Sequence, residues 1–122
     1  MKIATVQKTI TQFIQDLYNK ISVYPINFEN DISGRSFDIN KCGIFRHNTN
    51  TDTDIRFPNS FTPPLGTKIN IIRANRLGCP TIMAETLNYP PNHTPTIKVN
   101  GMVTAVYVGR NEWDLFGDLE EI

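Results

Sequence analysis

The apolar positions of this chain follow two rhythms. Ile3, Val6, Ile10, Phe13 and Leu17 fall at steps of 3, 4, 3 and 4, the spacing of one helical seam, and Ile14 and Ile21 widen it into a stripe. The stretch from Ile3 to Ile21 holds neither Gly nor Pro, and Lys20 places a cation near the end where a helix dipole favours one. The pattern predicts one N-terminal α-helix within residues 1–24. At 1.5 Å per residue, a helix of about 17 residues is roughly 26 Å long. Two heptads do not hold an isolated coiled coil together. The helix therefore needs company, either copies of itself or its own domain, and the seam Ile3, Val6, Ile10, Phe13, Leu17 is the candidate oligomerisation or docking interface.

After Pro25 the rhythm shortens. All eight prolines lie from Pro25 onward, which excludes long helices there. Short β-rich segments run from Gly43 to Arg46, Thr53 to Phe57, Thr67 to Ala74, Pro80 to Ala84, Thr96 to Val99, Met102 to Val108 and Glu112 to Phe116. Turn residues between them recur about every eight to twelve positions, as in a sandwich or barrel. The expected fold is mainly β: an antiparallel β-sandwich, or barrel-like, domain over residues 25–122. Asn100-Gly101 predicts a hairpin, because both central residues of a type I′ turn need positive φ. In that register Ile97, Val99, Met102, Val106 and Val108 share one face, interrupted by Thr104. A second hairpin is expected at Gly109-Arg110-Asn111-Glu112, making the C-terminal half a meander. No solenoid repeat is visible.

Composition narrows the function classes. With 122 residues the chain fits one domain, which buries roughly two-thirds of its unfolded surface without staples. Twelve basic side chains balance twelve acidic ones, so no nucleic-acid partner is expected, since phosphate neutralisation would supply most of its affinity. No apolar run is long enough to insert in a membrane as a helix. Met1-Lys2 is followed by alternating polar and apolar residues rather than a signal core, so the chain is expected to be made and assembled in the cytoplasm. Cys42 and Cys79 lack CxxC spacing and read as reduced, buried thiols, with a disulfide and then a metal role as the alternatives.

The search for chemistry is nearly empty. His47 and His93 sit in polar, loop-like surroundings without HxH or HxxxH partners and read as surface histidines. GxSxG, P-loop and GxGxxG patterns do not occur. In Asn48-Thr49-Asn50-Thr51-Asp52-Thr53-Asp54 the alternating oxygen donors resemble the start of a calcium loop. Thr53 replaces its turn glycine and Asn59 its bidentate Glu, so a polar hairpin turn or exposed strand edge is the better reading. Asp38, Asp52, Asp54, Glu85, Glu112 and Asp114 are carboxylates of the right type for glycoside hydrolysis, but spacing in sequence does not set their separation. Trp113, Phe116, Tyr107, Phe45, Phe57 and Phe61 read as core, with a sugar-stacking platform as the alternative. No catalytic, cofactor-binding or metal-ligating residue is assigned, and an enzyme is not expected. The long, proline-rich connection bearing Asn88, Tyr89, Asn92 and His93 is the candidate recognition loop.

Val106-Tyr107-Val108-Gly109-Arg110-Asn111-Glu112-Trp113-Asp114-Leu115-Phe116-Gly117-Asp118-Leu119 resembles the closing hairpin of small β domains in bacteriophage fibre and head-surface proteins. Asp31-Ile32-Ser33-Gly34-Arg35 resembles their opening turn. Pro58 through Pro64-Leu65-Gly66-Thr67-Lys68-Ile69-Asn70-Ile71-Ile72 resembles their proline-rich loop, Gly-Thr turn and following strand. The resemblance spans residues 31–119 and departs at Arg76-Leu77-Gly78-Cys79, where relatives carry a longer Gly-rich turn. It implies a non-enzymatic virion protein, trimeric, with its N-terminal segment forming a coiled coil or docked to the particle. Read as a freestanding chain, its size suits a capsid decoration, cement or head-fibre protein at the virion surface. The expected partners are then its own copies and the major capsid protein or another virion protein. The alternative is a tail-fibre tip or receptor-binding module that recognises a host surface glycan or protein.

Overall fold

The computed structural model describes residues 10–14 and 27–122. Residues 10–14 are helical, inside the expected N-terminal helix. Ile3, Val6, Leu17 and the expected boundary after residue 24 lie outside the described residues. The remainder is mainly β. In chain order its strands are β1 (Asn27–Asp31), β2 (Phe37–Asp38), β3 (Gly43–His47), β4 (Thr53–Arg56), β5 (Lys68–Arg73), β6 (Pro80–Met83), β7 (Thr86–Asn88), β8 (His93–Ile97), β9 (Met102–Gly109), β10 (Glu112–Gly117) and β11 (Leu119–Glu121).

These strands form a six-stranded sheet ordered β1-β3-β5-β9-β10-β7 and a five-stranded sheet ordered β11-β8-β6-β4-β2. From β1 to β9 each successive strand crosses to the other sheet. As a result β1, β3 and β5 pair in parallel, and so do β2, β4 and β6. A parallel pair needs a crossover connection, usually a helix; here a strand of the opposite sheet supplies it. The C-terminal part folds back: β8 runs antiparallel to β6 and β11, β9 antiparallel to β5 and β10, while β7 lies parallel to β10. Both sheets are mixed, which corrects the expected antiparallel arrangement. A turn signal marks where the chain reverses, but not whether the next strand pairs with the last one or crosses the core.

The Asn100-Gly101 turn shows the difference. It has the expected left-handed Asn100 (φ 60), and Gly101 N donates to Lys98 O at 2.9 Å. Yet β8 and β9 belong to different sheets, so the turn is a corner rather than a hairpin. It is fixed from outside by Lys98 N to Asp118 O (2.8 Å) and Arg73 N to Gly101 O (2.9 Å). The corner also reverses the expected face of β9. Val103, Ala105 and Tyr107 are buried, whereas Met102, Thr104, Val106 and Val108 point away from the core. The second hairpin is present: β9 and β10 are antiparallel, Arg110 (φ 54) and Asn111 (φ 58) make the turn, and a bulge follows between Glu112 and Trp113.

The inward residues of both sheets meet in one apolar cluster. Phe45, Ile69, Ile71, Val103, Ala105 and Leu115 come from the six-stranded sheet, and Ile55, Ile82, Ile97 and Leu119 from the five-stranded one. Trp113 anchors one end, with its ring 4.2 Å from Phe57, 4.9 Å from Tyr107 and 5.9 Å from Phe61. These aromatics are core packing, and Phe116 alone of the set points outward. Gly43 is required where β1 approaches β3, since a Cβ there would collide with the backbone of Asn27.

Candidate functional site

The described part of the helix carries three large apolar residues in the open. Ile10 is 55% exposed, Phe13 67% and Ile14 60%. A helix stripe in a globular protein normally faces its own core. Among the described residues these side chains are not part of the buried apolar cluster. Two of the five residues of the predicted seam, Ile10 and Phe13, therefore form an apolar surface without cover from the β domain.

The expected recognition loop is short and partly structural. Asn88 ends β7, and its Nδ2 donates to Asp114 Oδ1 on the neighbouring β10 at 2.8 Å. His93 opens β8 opposite Glu121, and its Nδ1 donates to Pro91 O at 2.9 Å. Asn92 adopts a left-handed conformation (φ 63) and its carbonyl accepts from Ile122 N at 2.9 Å. Tyr89, at 38% exposed, supplies the apolar surface of this crossing between the sheets. The connection thus braces β7, β8 and the C-terminus together.

A buried polar cluster lies where a surface histidine was expected. His47 is 2% exposed, which corrects that reading. Along β3 the inward positions are Gly43, Phe45 and His47, so the strand's two-residue period carries the imidazole into the interior. Its Nε2 lies 2.9 Å from Thr53 Oγ1 and 3.2 Å from Thr51 O. A proton on Nε2 suits both contacts, because a carbonyl only accepts. Nδ1 then presents a bare lone pair, and it has no partner among the described residues. The same is true of Oδ2 of Asp31, the residue in register with His47 across β1 and β3. Arg73, 3% exposed, completes the cluster one strand further on.

Burial pushes the His47 pKa below its ordinary value, against smaller upward pulls from the Thr51 carbonyl, Asp31 and Asp52. The unfolded chain therefore binds a proton at this site before the native chain does. Stability is fully present above about pH 6.5 and declines as pH falls below it, because the unfolded state then holds the extra proton. Urea midpoints measured from neutral pH down to about pH 5 should fall, and His47→Gln should remove part of that slope. An identical slope in the variant would contradict the buried neutral imidazole.

The Asn48–Asp54 tract is neither a hairpin nor an exposed edge. It joins β3 to β4 across the two sheets, with Thr49 and Thr53 buried. Its polar side chains hold neighbouring loop segments: Asp52 Oδ1 accepts from Cys79 N (3.0 Å) and Asn50 Oδ1 from Asn75 Nδ2 (2.8 Å). The other candidate carboxylates are dispersed. Asp38 pairs with Arg56 (2.7 Å), Glu85 accepts from Asn111 (3.1 Å), and Asp114 is held by Asn88. Cys42 and Cys79 are free and half-buried, with burial raising the Cys42 pKa. Among the described residues no three His, Cys, Asp or Glu side chains converge as a metal site, and no helix is long and apolar enough to cross a membrane. Against this geometry, comparison with protein-family models, with curated proteins and with solved structures finds no match.

Proposed function

We propose that this chain is a non-enzymatic structural protein of a bacteriophage particle surface, a capsid decoration or head-fibre protein that assembles as a homotrimer through its N-terminal helix. The observation that carries the reading is the exposure of Ile10, Phe13 and Ile14, none of which belongs to the buried apolar cluster of the β domain. An apolar stripe of this kind is buried when copies of the helix associate. The resemblance of residues 31–119 to fibre and head-surface domains supports the virion assignment. In this reading the two sheets pack face to face as a sandwich, in keeping with their shared cluster of inward residues. The β domain then stands outward, and the helices gather at the axis or against the shell.

Two experiments test it. Mass spectrometry and immunogold labelling should find the protein on purified phage particles from the producing culture; particles that lack it contradict the assignment. Chemical cross-linking of the full chain should yield a trimer band, and Phe13→Asp should reduce it to monomer. Phe13 is exposed, so this change costs the β domain little. An unchanged cross-linking pattern would remove the helix from the interface.

A further inference from the structure

Among the described residues β1 and β2 are edge strands of their sheets, and the chain segment that contains both borders an open groove of about 550 Å³. Its walls include Glu29 from β1, Phe37 and Asp38 from β2, Arg35 before β2, and Asn40 and Lys41 after it. The volume lies in the range of about 300–1,000 Å³ that takes small organic ligands. Asp31 orders one rim: its Oδ1 accepts from the amide (3.0 Å) and hydroxyl (2.8 Å) of Ser33. Phe37 is the one apolar residue of the lining, half-buried and braced by the Phe45 ring 5.9 Å away.

The charges of this lining cancel. Asp38 is taken by Arg56 at 2.7 Å, which leaves the carboxylates of Glu29 and Asp31 against the cations of Arg35 and Lys41. The side chains of Glu29, Arg35, Asn40 and Lys41 make no hydrogen bond or ion pair among the described residues. A polyanion needs an excess of cations, which is missing. A strand-adding peptide needs pockets for its alternate side chains, and a lining with a single apolar residue does not provide them. What the groove offers is a mixed set of donors and acceptors together with one half-buried aromatic residue, Phe37, whose ring also packs on the core. Hydroxyl groups both donate and accept, so a polyol can use carboxylate, amide, guanidinium and ammonium together. The apolar face of a sugar ring packs on an aromatic side chain.

We propose that this groove is a binding site for a neutral, polyhydroxylated saccharide. The site is formed within one chain and does not depend on how many copies associate. Its test is a titration of the isotope-labelled full chain with maltose, lactose and chitobiose at millimolar concentration, followed by amide chemical shifts, with sialyllactose as the anionic comparison. At least one neutral disaccharide should shift the amides of residues 29–41. Asn40→Ala and Arg35→Ala, both at exposed positions, should each weaken that binding about three- to tenfold. Phe37→Leu keeps the apolar packing and should also weaken it, whereas Tyr89→Ala should not. No shifts with any neutral sugar, shifts with sialyllactose alone, or shifts centred on residues 88–93 would each overturn the proposal.

Discussion

Arg73→Met should lower the stability of the β domain by about 1–3 kcal/mol, the cost of leaving a buried acceptor without its donor. The guanidinium is 3% exposed and serves several acceptors at once. Nη1 donates to Ile97 O (2.8 Å) and Glu120 Oε1 (3.0 Å), Nε to Asn75 O (3.1 Å), and Nη2 to Arg76 O (3.1 Å) and Cys79 Sγ (3.4 Å). It thereby joins the end of β5 in one sheet to β8 and β11 in the other and pins the loop that leads to β6. Methionine has comparable length and no donors, so the three carbonyls lose their partner. Only the Ile97 carbonyl is buried with the guanidinium, while those of Asn75 and Arg76 are part-buried, and a buried acceptor left unsatisfied costs about 1–3 kcal/mol. Arg73→Lys should recover part of the loss, since an ammonium has three donors on a flexible stem rather than a planar fork. Urea denaturation at neutral pH measures both variants. A loss below about 1 kcal/mol for Arg73→Met would mean that the network is dispensable.

The second large effect is expected at Trp113. Its ring is 1% exposed and lies against Phe57, Tyr107 and Phe61. Trp113→Ala removes the largest side chain of the core and leaves these rings facing a void. Such truncations cost about 3–5 kcal/mol through lost transfer energy and the residual cavity. Trp113→Phe should cost clearly less, because the aromatic stacking on Phe57 is partly kept. Thermal unfolding followed by circular dichroism should show a lowered midpoint for both, in that order. Equal midpoints for Trp113→Ala and the wild type would place the ring outside the stabilising core.

The strands visible in the sequence and those hidden from it divide along physical lines. Each of the seven predicted β segments overlaps a strand, although Thr96–Val99 shares only Thr96 and Ile97 with β8; the clearest are imposed by an alternation that buries one side: Ile69 and Ile71 in β5, or Trp113 and Leu115 in β10. The four strands without a sequence signal, β1, β7, β2 and β11, are the four edges of the two sheets. They are paired on one side only, and β2, β7 and β11 are no longer than three residues, so little of the alternation needed to announce them is enforced; Phe28, Glu29 and Asn30 of β1 are all exposed. Topology was hidden for another reason. Asn100-Gly101 has the residues of a hairpin turn, but Asp118 and Arg73, both distant in sequence, make it a corner.

Site residues show the same division. Of the predicted helical seam, only Ile10 and Phe13 lie among the described residues, and both are helical, as a spacing that needs no tertiary information predicts. The buried position of His47 was also within reach, two residues beyond Phe45 on the inward face of β3. Its polar neighbours Asn48 to Asp54 masked it, since such a tract ordinarily marks solvent. The groove between β1 and β2 had no sequence signal, as it is built from the edge strands that the pattern did not reveal.

The most direct test of the central claim, self-association through the N-terminal helix, is the mass of the full chain in solution. Light scattering after gel filtration at micromolar concentration should give a mass near three times the 13.9 kDa chain. A mass near one chain would contradict the account, leaving the exposed seam of Ile10 and Phe13 without its partner copies.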